Sequence, residues 1–319
     1  MRKTVGKLGF GTTALLGIVG EGQRQRLLGA ALDAGITHFD TAPYYGYGEA
    51  EAIVGRFMNG RRSRITITTK FGIQPPRLAG AGTLAAAVKR VVKNVGPLRS
   101  LLAKQAGKMV HRGAFGAEDA RKSLESSLRA LRTDHIDIYL LHEAGPADTS
   151  DELLAFLQKK REEGVIGDFG TGSEAAKVGE MVLRHPSFAH VVQFENSVLR
   201  PNLQSVAPGG SGCLAITHGA LGASFRHLRE ILRADEAFRR QCSDILAADA
   251  GEPLHLAAAL LAWAARENAA GTILFSSKEP DNIRANVEAL RNRSLSDEQL
   301  DELAGLLALK VPKGEKSTS

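Results

Sequence analysis

Polar side chains follow four predicted β-strands at the point where each strand ends. Asp40 follows the run Ile-Thr-His-Phe, Lys70 ends Ile-Thr-Ile-Thr-Thr, and His142 ends Ile-Asp-Ile-Tyr-Leu-Leu. Gln193 likewise ends a short run, His-Val-Val. Carboxylate, ammonium, imidazole and amide groups are those that proteins use to move protons and to hold a polar ligand. The spacing therefore predicts that the four side chains meet at one site.

The elements that must position these side chains alternate regularly. Eight short β-rich runs are separated by segments whose apolar residues have helical spacing. The predicted strands are 8–12, 36–39, 65–69, 136–141, 166–170, 190–193, 213–216 and 272–275. This alternation favours an α/β fold, an eight-stranded parallel (β/α)8 TIM barrel, over an open doubly wound sheet. Barrels of this kind build their sites at the carboxyl ends of the strands.

Helix starts and the lack of linkers complete the predicted organisation. Thr149-x-x-Glu152 and Ser296-x-x-Gln299 read as capping boxes, the second ahead of a C-terminal helix. No Pro/Gly/Ser-rich linker divides the chain, so we predict one domain over residues 1–319. The longest apolar run, 254–265, is too short to span a membrane, so no transmembrane segment is expected.

One glycine motif offers a competing interpretation. Gly9-Phe-Gly11-Thr-Thr-Ala14 fits G-x-G-x-x-G/A, the dinucleotide fingerprint of an open Rossmann sheet. That fingerprint needs a helix that opens at the second glycine, but Gly17 and Gly20 interrupt the following segment. We therefore interpret these glycines as turn residues after the first strand.

The segment His38-Phe-Asp-Thr-Ala-Pro-Tyr-Tyr-Gly-Tyr-Gly-Glu-Ala-Glu51 resembles the aldo-keto reductase pattern. In that family a strand ends in Phe-Asp-Thr-Ala, Tyr-Gly follows five residues after the Asp, and Glu-x-Glu opens the next helix. The match implies that Asp40 and Tyr45, and not Tyr44 or Tyr47, take the family's catalytic positions. Lys70 and His142 resemble the family's lysine and histidine at the ends of the third and fourth strands.

This resemblance implies a carbonyl reduction, in which carbon receives a hydride and oxygen receives a proton. Tyr45 would be the general acid, and a free phenol has a pKa near 10. We expect the Lys70 ammonium to lower the pKa of Tyr45, and Asp40 to hold that ammonium in place. His142 would donate a hydrogen bond to the substrate oxygen.

The resemblance also implies a nicotinamide cofactor, with NADPH favoured, NADH as the alternative and no metal. Residues 272–286 are similar to the family's adenosine-phosphate segment after the last strand. Gly172 and Ser173 stand where the family has Ser-Asn against the nicotinamide, and Ile216 stands where it has a stacking tyrosine. The implied cofactor contacts are Thr12, Asp40, Ser173, Gln193, Ser276, Ser277, Lys278, Asn282 and Asn286.

The expected substrate pocket is lined by Thr13, Tyr45, His142 and Glu143. Thr13 is small where some branches of the family have an aromatic residue, which favours a roomier pocket. Glu143 directly follows His142 and would meet a cationic or hydroxylated substrate, or else lie as a solvated loop charge. The substrate itself, a small carbonyl compound or alcohol, is not specified by the sequence.

The net charge of +6 comes from one segment. Residues 72–116 contain eight Lys and Arg and no Asp or Glu, so the rest of the chain carries −2. We interpret this segment as a basic helical insertion after the third strand, with Val88, Val91, Val92 and Val95 at helical spacing. It could contact an anionic ligand or surface, or simply be a solvated helix. No nucleic-acid partner is expected.

Two cysteines, Cys213 and Cys242, do not form a metal or disulfide pattern, which favours a cytoplasmic protein.

Two functional hypotheses remain. The first is an NADPH-dependent reductase of aldehydes or ketones. The second is a nicotinamide-nucleotide-binding regulatory or sensor protein on the same fold, with weak turnover.

Overall fold

The computed structural model describes residues 5–46, 48–74, 111–209, 212–292 and 294–310. Eight parallel strands form a closed barrel, as the sequence predicts. They are β1 (Leu8–Gly11), β2 (His38–Asp40), β3 (Thr66–Phe71), β6 (Ile136–His142), β7 (Ile166–Gly172), β8 (Val191–Glu195), β9 (Leu214–His218) and β10 (Thr272–Phe275).

The barrel closes because β1 pairs with strands from both ends of the chain. Gly9 pairs with His38 of β2, and Leu8 pairs with Ile273 of β10. Going round, β2 is followed by β3, β6, β7, β8, β9 and β10, all parallel. Closure brings the carboxyl ends of the strands to one face, where the predicted polar side chains lie.

Helices pack around the outside of the barrel. They are α1 (Glu21–Asp33), α2 (Glu49–Met58), α3 (Ala117–Leu131), α4 (Asp151–Glu162), α5 (Ala175–Arg184), α6 (Leu203–Val206), α7 (Ala223–Ala234), α8 (Glu236–Leu246), α9 (Pro253–Glu267), α10 (Pro280–Arg291) and α11 (Asp297–Ala308). In α3 the buried residues Ala120, Leu124 and Leu131 lie on one face at helical spacing. That spacing lets the helix cover the barrel while its charged face meets water.

The two predicted capping boxes have different outcomes. Ser296 and Gln299 cap α11 reciprocally, as predicted. The prediction for α4 is wrong by one residue: Ser150 is the N-cap, and its hydroxyl accepts a hydrogen bond from the Leu153 amide. Thr149 instead donates its hydroxyl proton to the Pro146 carbonyl, at 2.8 Å.

The core has two layers. Inside the barrel, Ile138, Leu140, Val191, Ile216 and Leu274 form one apolar cluster. A much larger cluster lies between the sheet and the surrounding helices. The interior cluster fills the barrel below the polar side chains, so the site is a cleft at the carboxyl face and not a channel.

The Rossmann alternative is wrong. After β1 the chain forms a 3-10 helix, Thr12–Gly17, and the first α-helix begins only at Glu21. Among the described residues, no helix is both long enough and apolar enough to cross a membrane. Within the described ranges, neither Cys213 nor Cys242 forms a disulfide.

A small hairpin stands at the base of the insertion after β3. Strand β4 (Ile73–Gln74) pairs antiparallel with β5 (His111–Arg112). At the junction with β3, Gly72 has a φ of 108°, and a Cβ there would come within 2.0 Å of the Phe115 ring. The predicted valine-lined helix and seven of the eight basic residues fall within 75–110, outside the described residues.

Candidate active site

Asp40, Lys70 and Tyr45 form a connected group at the carboxyl face of the barrel. The Lys70 ammonium donates to Asp40 Oδ1 at 2.7 Å, to the Thr41 carbonyl at 3.1 Å and to Tyr45 Oη at 3.4 Å. Asp40 ends β2 and Lys70 lies near the end of the neighbouring β3, so pairing of these strands sets the contact. Tyr45 reaches the group from the turn that follows β2.

Two further predicted side chains join this group. Gln193, from the opposite side of the barrel, donates its amide to Asp40 Oδ2 at 2.7 Å. The His142 ring stands edge-on to Tyr45, with the ring centres 6.0 Å apart. Both Asp40 oxygens are therefore engaged, and the carboxylate is held between Lys70 and Gln193.

Burial acts strongly on the ionisable groups here. Burial would lower the pKa of Lys70, but Asp40 and Tyr45 more than reverse this and raise the pKa above its ordinary value. The expected lowering of the Tyr45 pKa is wrong as a net result. Burial raises the pKa of Tyr45, and the opposing effect of Lys70 does not overcome it. At neutral pH, Lys70 is therefore charged and Tyr45 protonated.

The group opens into a cavity of about 380 Å³ at the carboxyl face. Its lining includes the predicted Thr13, Tyr45, His142, Glu143, Ser173, Gln193 and Ser276, together with Gly11 and Gly172. The structure thus brings the predicted catalytic and substrate residues to one cleft, together with part of the cofactor set.

His218, which is not among the predicted site residues, also lines the cavity. Ile216, placed above at the position of a stacking tyrosine, instead lies in the interior apolar cluster. Alternate residues of a strand face the same side, so His218 at the end of β9 reaches the cleft above Ile216. The rule of a polar residue at a strand end, which selected Asp40, would also have selected His218. The surrounding protein atoms lower the pKa of His218, although Asp40 and Glu195 oppose this.

The segment after β10 carries the remaining predicted cofactor residues. Ser276 and Lys278 are exposed, and Ser277 forms a turn in which its hydroxyl accepts from the Glu279 amide at 3.1 Å. The Lys278 side chain crosses Gly17, where a Cβ would lie 2.5 Å from its Nζ. The amino end of α10 faces the same region, with Asn282 exposed and Asn286 buried one turn further on.

Two carboxylates lie next to Lys278 in the chain and offset its positive charge. Glu279 is the N-cap residue of α10, and Asp281 lies in its first turn. Arg284, in the same helix, forms an ion pair with Asp281 at 2.5 Å. Lys278, in contrast to Arg284, forms no ion pair with a carboxylate among the described residues.

Other predicted residues lie close to the cleft with distinct surroundings. Thr12 is buried at the end of β1, and its hydroxyl has no hydrogen-bond partner among the described residues. Ser173 donates its hydroxyl to Glu143 Oε2 at 3.3 Å. In the part of the chain that the structure describes, no group of three or more His, Cys, Asp or Glu side chains is arranged to hold a metal.

The model of the Aldo/keto reductase family matches residues 7–308. The NADH-specific methylglyoxal reductase of Escherichia coli (strain K12) is 27% identical over 92% of this chain and 92% of its own length. The aldo-keto reductase YhdN of Bacillus subtilis (strain 168) is 28% identical, but that match spans 52% of this chain and only 43% of the relative.

Solved structures agree in fold. The glycerol dehydrogenase of Gluconobacter oxydans superposes with a TM-score of 0.72 at 21% identity, over 100% of this chain and 96% of that one. An aldo-keto reductase of Klebsiella pneumoniae, solved with NADP and acetate, gives 0.68 at 22% identity over 95% and 92%. With the family match over nearly the whole sequence, the chain belongs to the Aldo/keto reductase family of oxidoreductases.

Proposed function

We propose that this protein reduces an aldehyde or ketone to an alcohol by direct hydride transfer from NADPH, with Tyr45 as the general acid. The observation that carries the proposal is the buried chain Gln193–Asp40–Lys70–Tyr45, which ends in a phenol at the cleft. Family membership supports carbonyl reduction in general.

The cleft has features that fit a nicotinamide ring. Gly11 and Gly172 line it without side chains, and a Cβ at Gly172 would come within 3.2 Å of Gln193 Oε1. The buried Thr12 hydroxyl offers a hydrogen bond that no described residue uses. Gln193, Ser173 and Thr12 would hold the ring, and a bound reduced nicotinamide supplies the hydride that reaches the carbonyl carbon.

The side chains of this protein supply the proton and its control. Tyr45 is protonated at neutral pH because burial raises its pKa, so its hydroxyl can donate to the carbonyl oxygen. Lys70 stabilises the phenolate that remains, and Asp40 with Gln193 fixes the ammonium 3.4 Å from Tyr45 Oη. His142, edge-on to Tyr45, is placed to orient the same oxygen.

The preference for NADPH rests on Lys278. An ammonium without a described carboxylate partner, next to a helix amino terminus, attracts a phosphate. Glu279 and Asp281 oppose this attraction, and the methylglyoxal reductase described above is named as NADH-specific. We therefore expect NADPH to have a lower KM than NADH, and NADH to support turnover as well.

Replacing Tyr45 by Phe tests the proposed acid. We expect Tyr45→Phe to lower kcat by about 10²–10⁴-fold, since it removes the proton donor while keeping the ring. Steady-state rates with NADPH and with NADH across a panel of aldehydes and ketones measure this. Nucleotide affinity, followed by fluorescence, should stay within about threefold of wild type.

Tyr44→Phe is the matched control, because it makes the same chemical change one residue away. It should keep near-normal turnover. Near-normal turnover of Tyr45→Phe would contradict the proposed acid. Tight nucleotide binding by wild type without turnover of any panel member would instead favour a sensor protein.

A further inference from the structure

The walls of the catalytic cleft carry an uneven charge. The Asp40 carboxylate is neutralised by the Lys70 ammonium at 2.7 Å. The other carboxylate in the lining is Glu143. Its carboxylate accepts the Ser173 hydroxyl, and within the described ranges no lysine or arginine forms an ion pair with it. The described walls of the cleft therefore have one uncompensated negative charge.

His218 lines the same cleft but is neutral at pH 7, so it does not offset this charge. Its pKa lies below the ordinary value because the surrounding protein atoms desolvate the ring. A neutral His218 leaves Glu143 as the dominant charge facing the space above Tyr45 and His142.

Backbone geometry holds Glu143 in this position. Its φ is 62°, in the left-handed region that residues with a side chain rarely adopt. The Glu143 amide donates to the Gly172 carbonyl at 2.7 Å, which ties the residue to the end of β7. A residue in this conformation persists only where its surroundings fix it, so the carboxylate has a stable base at the cleft.

The Glu143 carboxylate lies close to the side chains that would hold the reacting carbonyl group. Glu143 follows His142 directly, and the His142 ring contacts Tyr45. A carbonyl oxygen placed between Tyr45 and His142 would leave the rest of a short substrate next to Glu143. A half-buried carboxylate without an ion-pair partner attracts an ammonium and repels a carboxylate.

We propose that Glu143 makes this cleft selective for aldehydes and ketones that carry a positive charge, such as trimethylammonio aldehydes. The inference rests on the proposed function and specifies its substrate class. The reaction is unchanged: the carbonyl carbon gains a hydride from the reduced nicotinamide, and the carbonyl oxygen gains the Tyr45 proton. Glu143 binds the cation and takes no part in either transfer.

Two aldehydes of nearly equal shape test the charge. In 4-(trimethylammonio)butanal and 5,5-dimethylhexanal, a quaternary nitrogen and a quaternary carbon occupy the same place. We expect wild type to have a kcat/KM about tenfold or more higher for the cationic aldehyde. Glu143→Gln should lower kcat/KM for the cationic aldehyde by about tenfold and leave the neutral one within about threefold.

Glu118→Gln is the matched control. Glu118, in the first turn of α3, already pairs with Arg121 at 2.7 Å and does not line the cleft. The change removes the same charge, and we expect it to leave the ratio of the two kcat/KM values unchanged. The anionic aldehyde 5-oxopentanoate should gain in kcat/KM with Glu143→Gln.

The rates with these three aldehydes separate a failure of the inference from a failure of the proposed function. If wild type and Glu143→Gln show the same cationic-to-neutral ratio while both turn over 5,5-dimethylhexanal, the inference is wrong and the proposed function stands. A wild-type preference for 5-oxopentanoate would also overturn it. If wild type reduces none of the three aldehydes but reduces another carbonyl compound of the panel, the inference is wrong and the proposed function stands. If wild type reduces no member of the panel with either nucleotide, the proposed function fails and the inference fails with it.

Discussion

Lys70 is a cation held almost out of contact with water, with 1% of its surface exposed. Such a charge is stable only where its partners are fixed. Here the partners are Asp40, the Thr41 carbonyl and Tyr45, and Asp40 is itself fixed by Gln193. The geometry therefore has little freedom, which suits a group that must stabilise a phenolate each time Tyr45 gives up its proton.

A second buried titratable residue makes the stability of the barrel depend on pH. His38, in β2, is fully buried between the Thr66 and Thr68 hydroxyls. Burial lowers the pKa of His38 to about 4. The unfolded chain binds this proton below about pH 6.5, so its contribution to stability is present above pH 6.5 and is lost as pH falls toward 4. The loss amounts to roughly 3 kcal/mol.

Unfolding by urea at several pH values between 4 and 7 measures this effect. In His38→Gln the free energy of unfolding should be lower at neutral pH but should fall less steeply with acid. The slope should decrease by up to about 1.4 kcal/mol per pH unit. An unchanged slope would mean that His38 is not the group responsible.

For the individual residues of the site, the sequence predicted which side chains lie together but did not predict their pKa values. Each of Asp40, Lys70, His142 and Gln193 has an ordinary structural explanation when taken alone. Together they were recognisable because all four stand at the carboxyl ends of predicted parallel strands, which meet at one face. The net rise in the pKa of Tyr45 depends on burial by several elements, which no short segment of sequence contains. His218 was missed because the resemblance directed attention to Ile216.

Among the helices, a single glycine lets α2 lie close to the end of α3. A Cβ at Gly55 would come within 2.3 Å of the Ala130 carbonyl oxygen, which is backbone and cannot turn aside. Gly55→Ala should therefore lower the free energy of unfolding by about 1–3 kcal/mol through overpacking. Denaturant unfolding measures the change.

Gly29 in α1 is the control for Gly55, because alanine can be placed there without a steric clash. It is also helical, but a Cβ there meets nothing within 4 Å. Gly29→Ala should raise the free energy of unfolding by up to about 1 kcal/mol, because alanine favours the helix. Equal effects of the two substitutions would show that helix–helix contact does not decide the outcome at Gly55.

Helix boundaries show where sequence patterns reach their limit. The Ser296 capping box was predictable because both of its hydrogen bonds join residues three apart in the chain. The Gln299 backbone amide donates to the Ser296 hydroxyl, and the Ser296 backbone amide donates to the Gln299 side-chain oxygen. At α4 two neighbouring hydroxyl residues compete, and the preceding 3-10 turn Pro146–Asp148 engages Thr149 and leaves Ser150 to cap. The choice depends on the turn, whose conformation the motif does not encode.

At the scale of the whole molecule, the segment 75–110 leaves and re-enters the described part of the chain at one place. The two ends of the insertion lie side by side, because Ile73–Gln74 pairs with His111–Arg112. Paired strand residues are about 5 Å apart, so a short turn can join Gln74 to His111. The barrel strands β3 and β6 pair directly and do not depend on the segment between the hairpin strands.

Replacing residues 75–110 by a four-residue Gly/Asn turn should leave the barrel folded, with a similar midpoint of urea unfolding. The change removes seven of the basic residues and takes the net charge from +6 to −1. If the insertion contacts an anionic ligand or surface, the affinity for NADPH or for phosphatidylserine vesicles should fall severalfold at low salt and converge at high salt. Unchanged affinity for both would leave a solvated helix as the explanation.

The left-handed backbone at Glu143 has a consequence for how this position changes over generations. Glycine would adopt a φ of 62° without the penalty, roughly 1 kcal/mol, that a side chain imposes. Mutation without selection on substrate would therefore drift toward glycine or asparagine, which gain stability and lose the carboxylate. If glutamate is retained at this position among descendants of this gene, selection for its charge has continued. Its replacement by glycine would indicate that the enzyme no longer depends on a cationic substrate.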